Sequence, residues 1–575
     1  MKYSNTLFIF FLTGILIYAC KKNFLDERPL GELDEAALAS KKGVEGLLIG
    51  AYSLLDGTGG NKSDLGSAGS NWMYGSICGS EAYTGSVPND GDVAIERFTS
   101  TATNGSLASK WGTVYDGVQR ANDVIRVMKK AKDISEDDQK RIAAEARFLR
   151  SHYHFEAKKM WNKIPYIDES ITYAAGNYRV GNDKDIWSDI ENDLIYAVDN
   201  LPPAPYQGAV GRANKYTAMA LLAKAYMFQK KMAEAKPLLE AIINSGKYQL
   251  VNYHDNFNPE TKNSRESIFC AQMSVNDGAG GLNGNLGDAF NFPTYKTVPG
   301  PGGCCGFFQP SQWLVNHFKT DGTTGLPDLD NFNAVDVKYD SALSSADPFV
   351  PYTGTLDPRL DWTVGRRGIP YLDWGNHPGK DWIRDQNNGG PYTPKKNAYN
   401  KSQEGHFTDA SFWGNITTAN NVNLIRYADV LLWAAEVEIE IGSLEKAKDY
   451  INQVRRRASD ASGWVKKPDG TPAANYKVGE YINVWTDKSF ARKAIRYERM
   501  LELAMEGQRF FDLVRWDIAD TEINAYLQKE KALRTYLNSV VFKKNCNEYF
   551  PIPQTQIDLS AGADGVRKLK QNPCY

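Results

Sequence analysis

Residues 495–516 read IRYERMLELAMEGQRFFDLVRW. Apolar residues recur at helical spacing, so the stretch is predicted to lie on one helix from Arg492 to Trp516. Glu498, Glu502 and Glu506 follow one another at i, i+4, interleaved with Arg496, Arg499, Arg509, Asp512 and Arg515. Two readings compete. Paired carboxylates could serve a glycoside hydrolase, which needs two of them flanking a scissile bond. Acids alternating with arginines on one helix more naturally neutralise each other as ion pairs, and a glycosidase pair usually faces across a cleft from separate elements. The structural reading is preferred.

Working outward, helical periodicity dominates two regions, about 111–248 and 424–527. Ile142, Ala146, Leu149, Tyr153, Ala157 and Met160 make one apolar stripe, and Ala218, Leu221, Leu222, Ala225 and Phe228 make another. An internal repeat links the regions. Met232, Ala235, Leu239 and Ile242 have the spacing i, i+3, i+7, i+10, and Leu444, Ala447, Ile451 and Val454 repeat it. Each set follows a short break, Gln229-Lys230-Lys231 or Gly442-Ser443. This is the pattern of a helix, a tight turn and a second helix folded back, the unit of a tetratricopeptide-type stack. The expected fold is therefore all-α: helix pairs forming a scaffold, about 24–250 and 424–575, with a long irregular insertion, about 252–423. The insertion is rich in Gly, Pro, Asn and aromatics, as in Gly278-Ala279-Gly280-Gly281 and Asn387-Asn388-Gly389-Gly390, and such loops must be laid over a scaffold.

At the other end of the chain, Leu7 to Ala19 is almost wholly apolar, behind a basic start at Lys2. That suits a signal-peptide core and is too short to span a bilayer. Ala19 precedes Cys20, and Lys21-Lys22 follow, so residues 1–19 are expected to be removed and Cys20 to carry lipid. Tyr18 is bulkier than the residue usual at such a site. An ordinary secretory leader that happens to hold a cysteine is the alternative.

A formal net charge of −2 speaks against a nucleic-acid partner, which wants a basic face. Besides Cys20, the cysteines are Cys78, Cys270, Cys304, Cys305, Cys546 and Cys574, with no CxxC spacing, which makes a zinc ribbon improbable. Cys546 and Cys574 flank the C-terminal tail, and a disulfide and two free thiols are both open. The histidines, 152, 154, 254, 317, 377 and 406, form no HExxH. Gly278 to Gly287 opens no expected helix, and no GxSxG elbow stands on a strand-to-helix turn, so neither a dinucleotide site nor a serine hydrolase is supported. No metal, cofactor or catalytic residue is expected.

The stretch at 495–516 also resembles the signature helix of the SusD/RagB family of Bacteroidota outer-membrane lipoproteins. Further points of resemblance are Phe24-Leu25-Asp26 after Cys20, Arg120-Ala121-Asn122, Ala144-Glu145-Ala146-Arg147-Phe148-Leu149-Arg150 and Gly211-Arg212-Ala213. Asp357-Pro358-Arg359-Leu360, Ile425-Arg426-Tyr427-Ala428-Asp429, Phe550-Pro551-Ile552-Pro553 and the closing Gln571-Asn572-Pro573 complete the set. The family usually has Gly where Cys574 stands, so a disulfide there would be a local feature. The resemblance implies four tetratricopeptide-like helix pairs with irregular insertions. It implies a non-enzymatic, surface-exposed lipoprotein that binds an oligosaccharide and passes it to a SusC-like TonB-dependent transporter of the outer membrane. A member that binds peptides or another nutrient is the alternative on the same scaffold.

Sugars offer apolar C–H faces to aromatic rings and hydroxyl rims to amides, carboxylates and guanidinia. The resemblance implies a ligand site built by loops after the first helix and in the insertion; candidates there are Trp72, Tyr74, Glu81, Tyr83 and Asn104, with Asn71, and Tyr295, Phe307, Phe308, Trp374 and Trp382, none carried over from the family as a matched position. Loop packing is the competing role for each ring. If Cys20 carries the lipid, Cys20→Ala moves the protein from the membrane to the soluble fraction; unchanged fractionation removes the assignment.

Overall fold

The computed structural model describes residues 38–58, 65–85, 90–294, 298–412, 414 and 416–575. The leader and Cys20 lie outside the described residues.

The helices that carry the fold are α1 (Lys41–Tyr52), α2 (Gly105–Met128), α3 (Glu136–Trp161), α4 (Trp187–Asn200), α5 (Lys215–Phe228) and α6 (Met232–Asn244). After the insertion come α7 (Tyr427–Ile441), α8 (Leu444–Ser459), α9 (Lys488–Glu502), α10 (Arg509–Arg515) and α11 (Ala519–Glu530). Their starts follow from capping chemistry. The side chains of Ser40, Asn104, Ser135, Asn214, Ser443 and Asp487 accept backbone N–H bonds at the first turns of α1, α2, α3, α5, α8 and α9. In α3, Glu136, Asp137 and Asp138 sit in the first turn and Lys158 and Lys159 in the last, which suits the helix dipole.

From α1 to α8 each helix packs on the next in chain order, including α6 on α7 across the whole insertion, and α9 packs on α7 and α8. The stripes expected on α3 and α5 are buried, save the half-buried Phe228. Gly117 brings α2 close to α3: a Cβ there would fall 2.6 Å from the Tyr153 ring. The two repeat units are the α5–α6 and α7–α8 hairpins, and Ala235, Leu239, Ile242, Ala447, Ile451 and Val454 are all buried in the shared core.

The insertion leaves after α6 and returns before α7 through one antiparallel strand pair. Ser267–Ala271 pairs with Val422–Arg426, Ser267 opposite Arg426 and Ala271 opposite Val422. Between them lie short elements and loops with a small core of their own, formed by Phe292, Tyr371, Trp382, Ala398 and Tyr399.

The single helix expected from Arg492 to Trp516 is broken. α9 ends at Glu502 and α10 begins at Arg509. Met505 (φ 64°) and Gly507 (φ 70°) adopt left-handed backbone between them. The break is a docking point for residues 70–81. A Cβ on Gly75 would fall 1.8 Å from the Gly507 carbonyl oxygen, and one on Gly507 would fall 2.0 Å from that of Ser70. Ser76 Oγ accepts the Gly507 N–H at 2.9 Å, and Glu81 Oε2 accepts that of Met505 at 3.1 Å.

The carboxylates of α9 are indeed ion-paired, but mostly not with arginines of their own helix. Arg359, from the insertion, donates to Glu498 at 2.7 Å, to Glu502 at 2.9 Å and to Asp357 at 2.7 Å. Arg426, on the returning strand, donates to Glu502 at 2.5 Å and to Glu266 and Glu506 at 2.8 Å. From α8, Arg455 holds Glu498 at 2.8 Å and Arg457 contacts Glu502. Lys396 completes the cluster, 2.7 Å from Glu506 and 2.6 Å from the Ala504 carbonyl, at the end of α9. Five cations thus meet five carboxylates in a nearly waterless space. A second cluster does use the stretch itself: Arg499 and Arg515 share Asp512, with Asp429 and Glu436 of α7 as further partners.

Burial by itself would raise the Glu502 carboxyl, but Arg457, Arg426 and Arg359 hold it well below the usual carboxylate range. Removing one partner from such a cluster leaves unpaired buried charge, so Glu502→Ala is expected to cost about 3–5 kcal/mol in denaturant unfolding. Because Glu502 is depressed in the folded state, its stabilisation is complete above the ordinary value of 4.5 and is lost as pH falls below it. The wild-type melting temperature should therefore drop below about pH 4.5, and the drop should be smaller in a Glu502→Gln variant.

Candidate functional site

Most of the aromatic residues expected at a ligand surface are inside the protein. Trp72 is buried, donates from Nε1 to the Gly287 carbonyl at 3.0 Å and packs against Phe308 at 5.5 Å between ring centroids. Tyr74 is buried edge-on against Phe550. Phe308 is buried, and Asn71, also buried, donates to Glu156 at 3.0 Å. Glu81 caps the break after α9, and burial raises its carboxyl to about 8. Asn104 is the N-cap of α2, its Oδ1 accepting the Leu107 N–H at 3.1 Å. Trp382 is fully buried: its Nε1 donates to Val298 O at 2.9 Å, and its ring meets Tyr371 and His377 edge to face. The structure gives these side chains packing and capping contacts and leaves them little surface for a ligand. Tyr295 lies outside the described residues.

Tyr83 also belongs to the interior. It stands on the strand Ala82–Gly85, which pairs antiparallel with Phe307–Pro310. Its hydroxyl donates to Glu530 at 2.5 Å, the other Glu530 oxygen accepts the Trp313 N–H at 2.7 Å, and the Arg534 guanidinium lies 5.0 Å from the ring centre. Burial raises Glu530 to about 7.

Two expected residues keep part of their surface. Phe307 is half-buried at the end of that strand pair. Trp374 is half-buried on the outside of the insertion's small core, its Nε1 donating to Tyr399 O at 2.9 Å.

Arg534, 5.0 Å from the Tyr83 ring, also lines a hollow of about 500 Å³ that sequence reading missed. Its wall includes Tyr339, Lys380, Arg384, Gln386, Asn387 and Arg534. A methyl group added at Gly306 would lie 3.6 Å from Cβ of Arg384, so the chain just before Phe307 passes close to that wall. The short helix Gln386–Gly389 is pinned by Asp385, which accepts the Asn387 N–H and the Asn388 side-chain amide, both at 2.9 Å. Gln386 Oε1 accepts the Ala342 N–H at 3.3 Å, whereas its Nε2 has no partner among the described residues. Behind this helix, Gly389 leaves room for the Gln309 amide, onto which a Cβ would fall at 1.3 Å. The hollow thus combines guanidinium, ammonium, amide and phenol groups on a firm backbone. Its signal in the sequence was the polar run Arg384-Asp385-Gln386-Asn387-Asn388, which composition alone marks only as a loop.

The acids of α9 face none of this; they are spent on internal ion pairs. Among the described residues no group of His, Cys, Asp and Glu is arranged to hold a metal ion, and no helix is long and apolar enough to cross a membrane. Cys546 and Cys574 are joined as a disulfide with Cα atoms 5.6 Å apart, which ties the C-terminal tail, and Cys304 is joined to Cys305.

Comparison with known proteins agrees with this architecture. The SusD family model matches residues 265–575, and a model described as starch-binding associating with outer membrane matches residues 23–227. The chain belongs to the SusD family. A SusD-like protein of Formosa agariphila is 25% identical over 532 residues, covering 90% of both chains. The fold is similar to that of a SusD-like protein from Bacteroides fragilis, with a TM-score of 0.68, 20% identity and coverage of 96% of this chain and 100% of that one. It is also similar to a surface glycan-binding protein A from Bacteroides thetaiotaomicron in complex with laminarihexaose, with a TM-score of 0.64, 20% identity and coverage of 93% and 99%.

Replacing a buried ring leaves a cavity, so Trp72→Ala and Trp382→Ala should each cost about 3–5 kcal/mol of stability. Glu530 gives a pH signature. A carboxyl raised in the folded state contributes stability that is full below its unfolded value and lost as pH rises through about 7. Glu530→Gln should therefore gain melting temperature relative to wild type between pH 5 and pH 8.

Proposed function

We propose that this protein is a non-enzymatic oligosaccharide-binding lipoprotein of the outer membrane, facing the cell exterior through an anchor on Cys20 and delivering ligand to a SusC-like TonB-dependent transporter. The observation that carries the binding reading is the hollow between Arg384 and Arg534. It gathers groups that hydrogen-bond sugar hydroxyls, Arg384, Gln386, Asn387 and Arg534, around the partly buried phenol of Tyr339. Such a mixture of a few oriented polar groups and an aromatic face is how proteins hold polar, flat-faced ligands. Membership of the SusD family supports the surface and transporter roles, and the laminarihexaose complex of a structural relative supports an oligosaccharide as the ligand class. Trp374, half-buried outside the insertion's small core, offers a second ring for stacking.

Titration of the purified protein with a panel of neutral oligosaccharides, laminarihexaose included, tests this. Tyr339→Ala and Arg384→Ala should each weaken binding by ~1–3 kcal/mol, the usual worth of one stacked ring or oriented hydrogen-bonding group. Wild-type affinity in both variants, or no binding by any oligosaccharide, would contradict the proposal.

A further inference from the structure

Away from this hollow, the outward side of α9 forms one wall of a second cavity of about 510 Å³. Arg492, Lys493 and Arg496 line it from α9, and Arg509 and Glu522 from α10 and α11. Its floor includes the rings of Phe332 and Tyr497, 5.9 Å apart and edge to face. The wall therefore carries four cations and one carboxylate.

How those cations are satisfied separates them. Arg492 is engaged by Glu440 through two bonds of 2.7 Å, and Lys493 contacts the exposed Asp330. Arg496 differs: it is half-buried, and among the described residues no carboxylate lies within ion-pair distance of it. Its guanidinium rests on the Trp516 ring, 5.3 Å from the centre, and Arg509 lies over the same ring at 6.0 Å. Arg509 is 6% exposed. It reaches the Arg496 carbonyl and Glu522 only at 3.4 Å, and its buried Nε has no partner among the described residues. The third guanidinium at that indole, Arg515, is by contrast held by Glu436 and Asp512 at 2.7 Å. Two adjacent forks are thus left under-bonded beside an open, aromatic-floored cavity. A guanidinium fork matches a planar or tetrahedral oxyanion by paired N–H bonds.

We propose that this cavity is an oxyanion-binding site, taking the phosphate, sulfate or carboxylate group of a ligand whose apolar portion lies on Phe332 and Tyr497. Arg496 and Arg509 hold the anion, and Lys493 adds long-range attraction at the mouth.

The test is calorimetric and thermal-shift titration of the full chain with inorganic phosphate, glucose 6-phosphate and glucose, together with sedimentation on phosphatidylglycerol vesicles. Phosphate and glucose 6-phosphate should bind and raise the melting temperature, and glucose should not. Arg496→Gln should weaken anion binding about tenfold with little change in unliganded stability. Lys493→Gln, at an exposed position, serves as a second variant and should weaken it less. Glucose 6-phosphate bound more tightly than phosphate assigns a soluble anionic ligand, and Arg496-dependent vesicle binding assigns a lipid headgroup. Failure of every anionic probe to bind, or equal binding by the Arg496→Gln variant, overturns the proposal. Neither result bears on the hollow between Arg384 and Arg534, which is tested with neutral sugars.

Discussion

The Glu502 carboxylate is shared by three guanidinia, Arg359, Arg426 and Arg457, that come from three different parts of the chain. Arg359 belongs to the insertion, Arg426 to the strand that closes it and Arg457 to α8. Around Glu502, five positive and five negative groups neutralise one another with little access to water. Buried ion pairs add modest net stability compared with a well-packed apolar core, but they tolerate no partial assembly. In this molecule the cluster forms only when the insertion, its returning strand and the helices α8 and α9 are all in place. It therefore fixes how a long, loop-rich segment lies on a helical stack that could otherwise form without it.

The hollow between Arg384 and Arg534 depends on that arrangement at one remove. The break between α9 and α10 begins where the cluster ends, and it receives residues 70–81 through Ser76 and Glu81. Those residues lead into the strand Ala82–Gly85, whose Tyr83 ring lies 5.0 Å from the guanidinium of Arg534 in the wall of the hollow. A chain of close contacts thus runs from the buried charges to the candidate ligand surface.

The helical scaffold was legible because its signals are local. The matched spacing of Met232, Ala235, Leu239 and Ile242 with Leu444, Ala447, Ile451 and Val454 needs only one helix turn after another, and both hairpins stand where that repeat puts them. The charged motifs were legible as residues but not as partnerships. Glu502 and Arg359 are 143 positions apart, and helical spacing offered nearer arginines as partners. The helix break was hidden because Met505 and Gly507 sit inside an otherwise unbroken apolar period; only the close approach of Gly75 explains them. The aromatic loops misled for a related reason. Trp72 and Trp382 occur among Gly and Asn, where composition suggests surface, yet the loops bury them, in one case in a second small core. The hollow itself is made of Arg, Gln and Asn, which carry no periodic signal at all.

Hydrogen exchange measured by mass spectrometry on the Glu502→Gln variant tests most directly whether the charge cluster is what seats the insertion. The account predicts that protection falls selectively at 265–271, 356–363 and 422–426 and at the facing ends of α8 and α9, while α2, α3 and α4 exchange as in the wild type. Loss of protection spread evenly over the whole helical stack, or unchanged protection at the strand pair 267–271 and 422–426, would contradict it.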